Sequence, residues 1–283
     1  MLKQRIITAV ILLAILLPAL FYPAPEPFVG IVLVLIAAGA WEWGRLNGCG
    51  QAVSLALAVA CVALCALAWQ GGWLARPLPM LWSLWGAAWV LGGAWLLHAG
   101  VAGWPRIPRV LRLAGGLLAL WLAWLAVAQA RVTGINFLLS VLLLVWAADI
   151  AAYFAGRAFG LRFTRNRLAP SISPGKSWEG VWGGMAGVVA LALAWVAADS
   201  HMQAASASLY TRLADAGWWL LVVAVVFLAA LSVVGDLVES LVKRSAGAKD
   251  SSGLLPGHGG VLDRVDALLP TLPLAMMLAS LIQ

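Results

Sequence analysis

Apolar runs of about 20 residues, separated by short polar breaks, recur along the whole chain, and that is the length an α-helix needs to cross a bilayer core. Nine spanning helices are predicted, over residues 6–22, 28–46, 52–70, 79–98, 110–130, 135–156, 178–198, 216–242 and 266–282. The runs are continuously apolar and do not alternate with period two, which excludes an outer-membrane barrel. The fold class expected is therefore all-α, a polytopic integral membrane protein.

Composition agrees. Hydrophobic residues make up 64% of the 283, charged residues only 10%, and mean hydropathy is +0.97; a soluble domain carries roughly a quarter charged residues. Lys3 and Arg5 ahead of the first run resemble a secretory signal, but no small-x-small cleavage site follows and Tyr22-Pro23-Ala24-Pro25 reads as a turn, so the run is kept as the first helix.

The basic residues orient the chain. With the N-terminus in the cytoplasm, Lys3, Arg5, Arg45, Arg106, Arg109, Arg112, Arg157, Arg162, Arg165, Arg167, Lys176, Lys243, Arg244, Lys249 and Arg264 all fall inside, and of the 18 basic residues only Arg76, Arg131 and Arg212 fall outside. The net charge of +7 thus reads as topology together with attraction to anionic headgroups, and nucleic acid is not expected as a partner. The location expected is a bacterial-type cytoplasmic (inner) membrane. Cys49, Cys61 and Cys65 form no framework and read as apolar thiols; His98 and His201 carry no pattern. Trp41, Trp43, Trp73, Trp104, Trp178, Trp218 and Trp219 lie near helix ends, as in an interfacial belt.

Acidic residues divide the chain. Glu26 and Glu42 are the only carboxyl groups before Asp149; Glu179, Asp199, Asp215, Asp236, Glu239, Asp250, Asp263 and Asp266 follow it. Residues 1–134 read as a transmembrane scaffold and residues 135–283 as the catalytic region, with cytoplasmic loops at 157–177 and 243–265. Asp149, Tyr153 and Arg157 share one helix face, and an ionisable group at membrane depth points to function. Gly175-Lys176-Ser177 is no P-loop, because Pro170 stands where the motif needs glycine; Ser177 reads instead as a helix N-cap with Lys176 beside it, a place suited to phosphate oxygens. The overlapping spacings of Gly180, Gly183, Gly184 and Gly187 suit close helix packing.

Asp236, Glu239, Ser240 and Lys243 fall on one face of the eighth helix, where two acids require a compensating cation, either a metal or Lys243. Asp263 and Asp266 open the ninth. If those helices pack together, Asp236, Asp263 and Asp266 converge on a hard cation such as Mg²⁺, which prefers few carboxylates plus substrate phosphates. Between them, Pro256-Gly257-His258-Gly259-Gly260 offers open backbone N–H groups to an anion, beside Lys243, Arg244 and Lys249. Together these features describe a site for metal-bound nucleotide phosphates, with chemistry made of positioning and charge neutralisation.

These residues also carry a resemblance to a known family. The pattern S-x-x-K-R-x4-K-D-x5-P-x-H-G-G-x-x-D-R-x-D is filled without a gap by Ser240, Lys243, Arg244, Lys249, Asp250, Pro256, His258, Gly259, Gly260, Asp263, Arg264 and Asp266. It is the signature of the phosphatidate cytidylyltransferases, or CDP-diacylglycerol synthases. The opening LKQRIITA, Asp149-Tyr153-Gly156-Arg157, Ser173-Pro174-Lys176-Glu179-Gly180 and Gly235-Asp236-Leu237-Glu239-Ser240 are also similar to that family's pattern.

The resemblance implies the reaction CTP + phosphatidic acid → CDP-diacylglycerol + pyrophosphate at the cytoplasmic leaflet, dependent on Mg²⁺, with a second cation and a homodimer left open. It implies that Asp236, Asp263 and Asp266 hold metal, with Asp149 a further candidate. Asp236, Lys243, Asp263 and Asp266 form the catalytic set. Lys243, Arg244, Lys249, His258 and Arg264 hold triphosphate and pyrophosphate with Ser240, Gly259 and Gly260, and Arg157 and Lys176 hold the lipid phosphate or close the site; Asp250 supports them. Asp263→Asn is then expected to abolish turnover without unfolding the protein. A cation-coupled transporter and a phosphotransferase using a nucleotide-sugar or CDP-alcohol donor are the competing classes.

Overall fold

The computed structural model describes residues 2–282. Its helices are α1 (Leu2–Phe21), α2 (Glu26–Leu46), α3 (Gln51–Gln70), α4 (Pro79–Gly103), α5 (Arg109–Thr133), α6 (Ile135–Phe159), α7 (Trp178–Met202), α8 (Leu209–Ala216), α9 (Trp218–Ser245), α10 (Leu262–Val265) and α11 (Leu268–Leu281). Nine spans among the described residues are long and apolar enough to cross a membrane, α10 and α11 together making the last. Prolines punctuate the starts: Pro25 precedes α2, Pro79 opens α4 and Pro108 precedes α5, where a missing N–H costs no intrahelical bond.

Three elements differ from the sequence expectation. α4 bends at Gly100, whose φ of 66° and ψ of −172° only glycine adopts freely, so the straight helix ends near the expected residue 98 and a further turn follows. α8 is a short helix that hydropathy misses, because Arg212 and Asp215 interrupt it; it buries Leu209, Tyr210, Leu213 and Ala214 and is capped by Ser208. The ninth span starts at Leu262, four residues early, and is interrupted at Asp266 and Ala267.

Successive spans alternate in direction, so the loops at residues 47–50, 104–108, 160–177 and 246–261 gather at one end, with Arg5 at the start of α1. All fifteen of the expected inside basic residues belong to these loops or to helix ends beside them, which makes this the basic end of the molecule. At the far end Gln129 donates to the carbonyls of Trp73 (2.7 Å) and Arg76 (2.9 Å), and Arg131 to those of Leu20 and Tyr22, satisfying loop carbonyls that apolar surroundings would leave unpaired. α9 lies in the middle, against α4, α6, α7, α8 and α11. Cys61 and Cys65 are free and fully buried. Trp43 and Trp104, expected in an interfacial belt, are buried instead and meet edge to face with centroids 5.7 Å apart.

α6 and α7 approach most closely, because their shared seam is made of small residues. A Cβ on Gly183 would overlap that of Ala155, one on Gly187 that of Ala151, and one on Gly184 would stand 2.9 Å from the Ala148 carbonyl oxygen. Gly183→Val must therefore push the two helices apart. Overpacking of this kind costs about 1–3 kcal/mol, and a lowered melting temperature in detergent, with Gly175→Val (open space on all sides) unchanged, is the expected result.

Candidate active site

The α6–α7 seam widens toward the basic end into a cavity of about 410 Å³, walled by α6, α7 and α9. Its polar lining is Asp149, Tyr153, Arg157, Lys176 and Ser177; Ala148, Met185, Ala229 and Val233 supply an apolar floor. Arg157 donates to the Tyr153 hydroxyl at 3.2 Å, one turn back on the same face. Ser177 caps α7 by accepting the Gly180 N–H at 3.2 Å, as the sequence predicts. That cap places Lys176 at the cavity wall, where its ammonium meets Asp236 Oδ2 of α9 at 2.5 Å. Asp236 Oδ1 accepts the Ser240 hydroxyl at 3.2 Å. Asp149 is within electrostatic range of both Asp236 and Lys176, and so is Asp266.

A second cluster adjoins it. Lys243 pairs with Glu239 one turn earlier and with Asp263 Oδ1 at 2.6 Å, and all three side chains are nearly buried. Asp263 Oδ2 accepts from Ser251 N (2.8 Å), Ser251 Oγ (2.8 Å) and Gly260 N (2.8 Å), so this carboxyl group organises the loop around it. Asp266, at the break between α10 and α11, accepts the Ala267 N–H at 2.8 Å.

The predicted residues are thus only partly brought together. Asp149 and Lys176 line the cavity with Asp236 paired to Lys176, Asp266 lies within electrostatic range of Asp236 and Lys176, and Asp263 turns toward residues 251–260. Among the described residues no three acidic, histidine or cysteine side chains are arranged for one metal position. The charge balance nevertheless fits a hard cation: the five acids Asp149, Asp236, Glu239, Asp263 and Asp266 stand against three cations, Lys176, Lys243 and the cavity-lining Arg157. Mg²⁺ usually takes one or two protein carboxylates together with phosphate oxygens, which Asp236 with Asp266 or Asp149 would provide.

The loop at residues 246–261 lies at the surface of the basic end. A short bridge between Leu255 and Gly259 closes the Pro256-Gly257-His258 turn, with Gly257 (φ 76°) and Gly259 (φ 83°) in the left-handed region. Arg264 Nε donates to the His258 carbonyl at 3.1 Å and Arg244 Nε to Ile172 at 3.4 Å, tying this loop together and to residues 160–177. Among the described residues His258 Nδ1 is buried without a partner. Lys249 and Asp250 are exposed at the loop's edge.

Sequence reasoning missed the anchors that hold these loops. Glu179 of α7 accepts from Phe163 N (3.0 Å), Thr164 N (2.7 Å) and Thr164 Oγ1 (2.9 Å). Glu42 of α2 accepts from four groups of residues 251–262. From α1, Arg5 and Thr8 donate to the carbonyls of Gly257 and Pro256, each at 2.9 Å. The signal was present for Glu42: it is one of two acids in the first half of the chain, and it sits in an otherwise apolar span.

Comparison with known proteins finds relatives over nearly the full length. A model of the cytidylyltransferase family matches residues 3–282. A phosphatidate cytidylyltransferase from Pseudomonas aeruginosa is 41% identical, with 96% of this chain and 95% of the relative covered. One from Haemophilus influenzae is 36% identical over 96% of each, and one from Brucella suis is 47% identical over 48% of this chain and 43% of its own length.

Proposed function

The chain belongs to the cytidylyltransferase family, and on that premise we propose that it transfers CMP from CTP to phosphatidate, giving CDP-diacylglycerol and pyrophosphate. The observation that carries the proposal is the cavity itself. It joins an apolar floor, suited to the acyl part of a lipid, to Arg157 and Lys176, suited to its phosphate, and its wall carries Asp149 with Asp236 just behind Lys176.

A lipid phosphomonoester has a second pKa of about 6, so it is largely dianionic near neutral pH and needs no strong base to become a nucleophile. Its oxygen attacks the α-phosphorus of CTP, and the bond from that phosphorus to the β-phosphate oxygen breaks, releasing pyrophosphate. What obstructs the step is repulsion between two anions. Arg157 and Lys176 hold and neutralise the attacking phosphate, while the N–H groups of Gly257 and Gly259, with Arg244, Lys249 and Arg264, hold the triphosphate and the leaving pyrophosphate; the N–H groups of His258 and Gly260, expected open from the sequence, are taken by the Leu255 carbonyl and Asp263 and shape the turn instead. Lys243 keeps Glu239 and Asp263 in place beneath that turn. Mg²⁺, when bound, would be held by Asp236 with Asp266 and Asp149 and would supply further charge neutralisation on the phosphates. The basic end faces the cytoplasm in this reading, by the distribution of Lys and Arg, in the bacterial inner membrane, where CTP is available.

The test is transfer of label from α-labelled CTP into an organic-phase lipid by purified protein supplied with Mg²⁺ and phosphatidate. Incorporation that requires phosphatidate is expected. Incorporation only with a nucleotide-sugar or CDP-alcohol donor, or none from any donor, rejects the proposal.

A further inference from the structure

Glu42 is fully buried in α2, yet among the described residues it forms no pair with Lys, Arg or His. It is compensated by hydrogen-bond donors alone. Oε1 accepts the Ser252 hydroxyl (2.5 Å) and the Val261 N–H (2.9 Å), and Oε2 accepts the Ser251 hydroxyl (3.1 Å) and the Leu262 N–H (2.8 Å). A carboxylate offers about four lone-pair positions, and each oxygen here takes one hydroxyl and one backbone N–H.

The four donors come from the two ends of the Gly-rich loop, so one side chain staples both ends to a helix far away in the sequence. Asp263 completes the staple from the other side by accepting from Gly260 N and by sharing the single Ser251 hydroxyl proton with Glu42. Gly260 must be glycine for this reason: an added Cβ would strike both the Ser251 hydroxyl and Glu42 Oε1. Immediately past the staple α10 begins, carrying Asp263 and leading to Asp266.

We infer that Glu42 is a positioning residue for cytidylyl transfer: it fixes the base of the phosphate-holding loop and the start of α10 without touching substrate. The inference rests on the reaction proposed above. Loop and carboxylates are set together by one group, so a loosened staple displaces the triphosphate site and Asp266 at once, and a misplacement near 1 Å costs about a hundredfold in rate.

Glu42→Gln discriminates between positioning and mere structural support. The amide keeps the shape but replaces one oxygen by NH₂; a serine hydroxyl can turn to accept from it, whereas the Val261 or Leu262 N–H cannot. Two readouts are taken on the variant in membranes or detergent. Hydrogen exchange across residues 251–262 is expected to accelerate by about tenfold or more with α5 and α9 unchanged, as for a local opening. The KM for CTP and the Mg²⁺ concentration for half-maximal activity are expected to rise at least about tenfold, the scale of one lost buried hydrogen bond. A purely structural Glu42 would instead lower the active fraction, reducing kcat with KM and Mg²⁺ requirement unchanged and with exchange faster throughout; that outcome, or wild-type kinetics, overturns the inference. If Glu42→Gln does not accumulate, Ser251→Ala/Ser252→Ala, which retains both backbone bonds, is expected to raise the CTP KM by a few-fold, and an unchanged KM is equally fatal. The exchange arm needs no turnover, so wild-type protein lacking phosphatidate-dependent incorporation rejects the reaction while leaving the staple to be judged by itself.

Discussion

Asp236→Asn is expected to lower kcat by about 10²–10³-fold, the usual cost of removing one preorganised charge from a transition state, while the protein stays folded. The structure separates the two effects. The Asp236 side chain is 31% exposed, its partner Lys176 is 26% exposed, and each retains access to water when the other is lost, so little stability rests on the pair. Activity is another matter, because this carboxylate fixes the Lys176 ammonium at the cavity wall and lies within electrostatic range of Asp149 and Asp266. Asp263→Asn makes the informative contrast. Sequence reasoning expects it to abolish turnover and spare the fold, but three donors converge on Oδ2 and an ammonium on Oδ1. Either orientation of the asparagine sets its NH₂ against a donor, so turnover and the order of residues 251–260 should fall together. Turnover per folded molecule, with folding followed by detergent melting, checks both, and Asp236→Asn retaining more than about a tenth of wild-type kcat would remove Asp236 from the site.

What the sequence reveals here follows from the range of the physics involved. Length and hydropathy are local, so the nine spans are legible to within a few residues; α8 is too short and too charged for the same test. Face-sharing along one helix is also local. Asp149, Tyr153 and Arg157 are found where their spacing places them, and Asp236 with Ser240 likewise. Asp263 and Asp266 share a predicted face, and the backbone stays in the α region at Asp266 and Ala267, yet Asp263 is drawn aside by donors of residues 251–260 that helix spacing does not reveal. Contacts between elements are invisible to pattern. Lys176 meets Asp236 across 60 residues and Glu42 meets Ser251 across 209. In both cases the sequence supplies only the hint that an ionisable group at membrane depth must be compensated by something.

Lys243→Met carries the largest expected effect on stability. The side chains of Lys243, Glu239 and Asp263 are 12%, 3% and 6% exposed, and the ammonium is the group on which both acids converge. Asp263 keeps its loop donors when Lys243 is lost, but Glu239 has no other hydrogen-bond donor among the described residues. Breaking a buried pair from one side costs about 3–5 kcal/mol, because the remaining charge is stranded; for a chain of this size that is a fall in melting temperature of roughly 6–20 °C. Removing the stranded partner as well should reverse much of the loss, so Glu239→Gln/Lys243→Met is expected to melt above Lys243→Met alone, the non-additivity measuring their coupling. Equal melting of the two variants would show that Glu239 is not what Lys243 holds. The double variant also isolates the chemistry: with stability restored, a kcat still depressed by about 10² or more assigns Lys243 a part in transfer through Asp263 and the phosphate loop, and a kcat restored with the fold confines it to supporting the site.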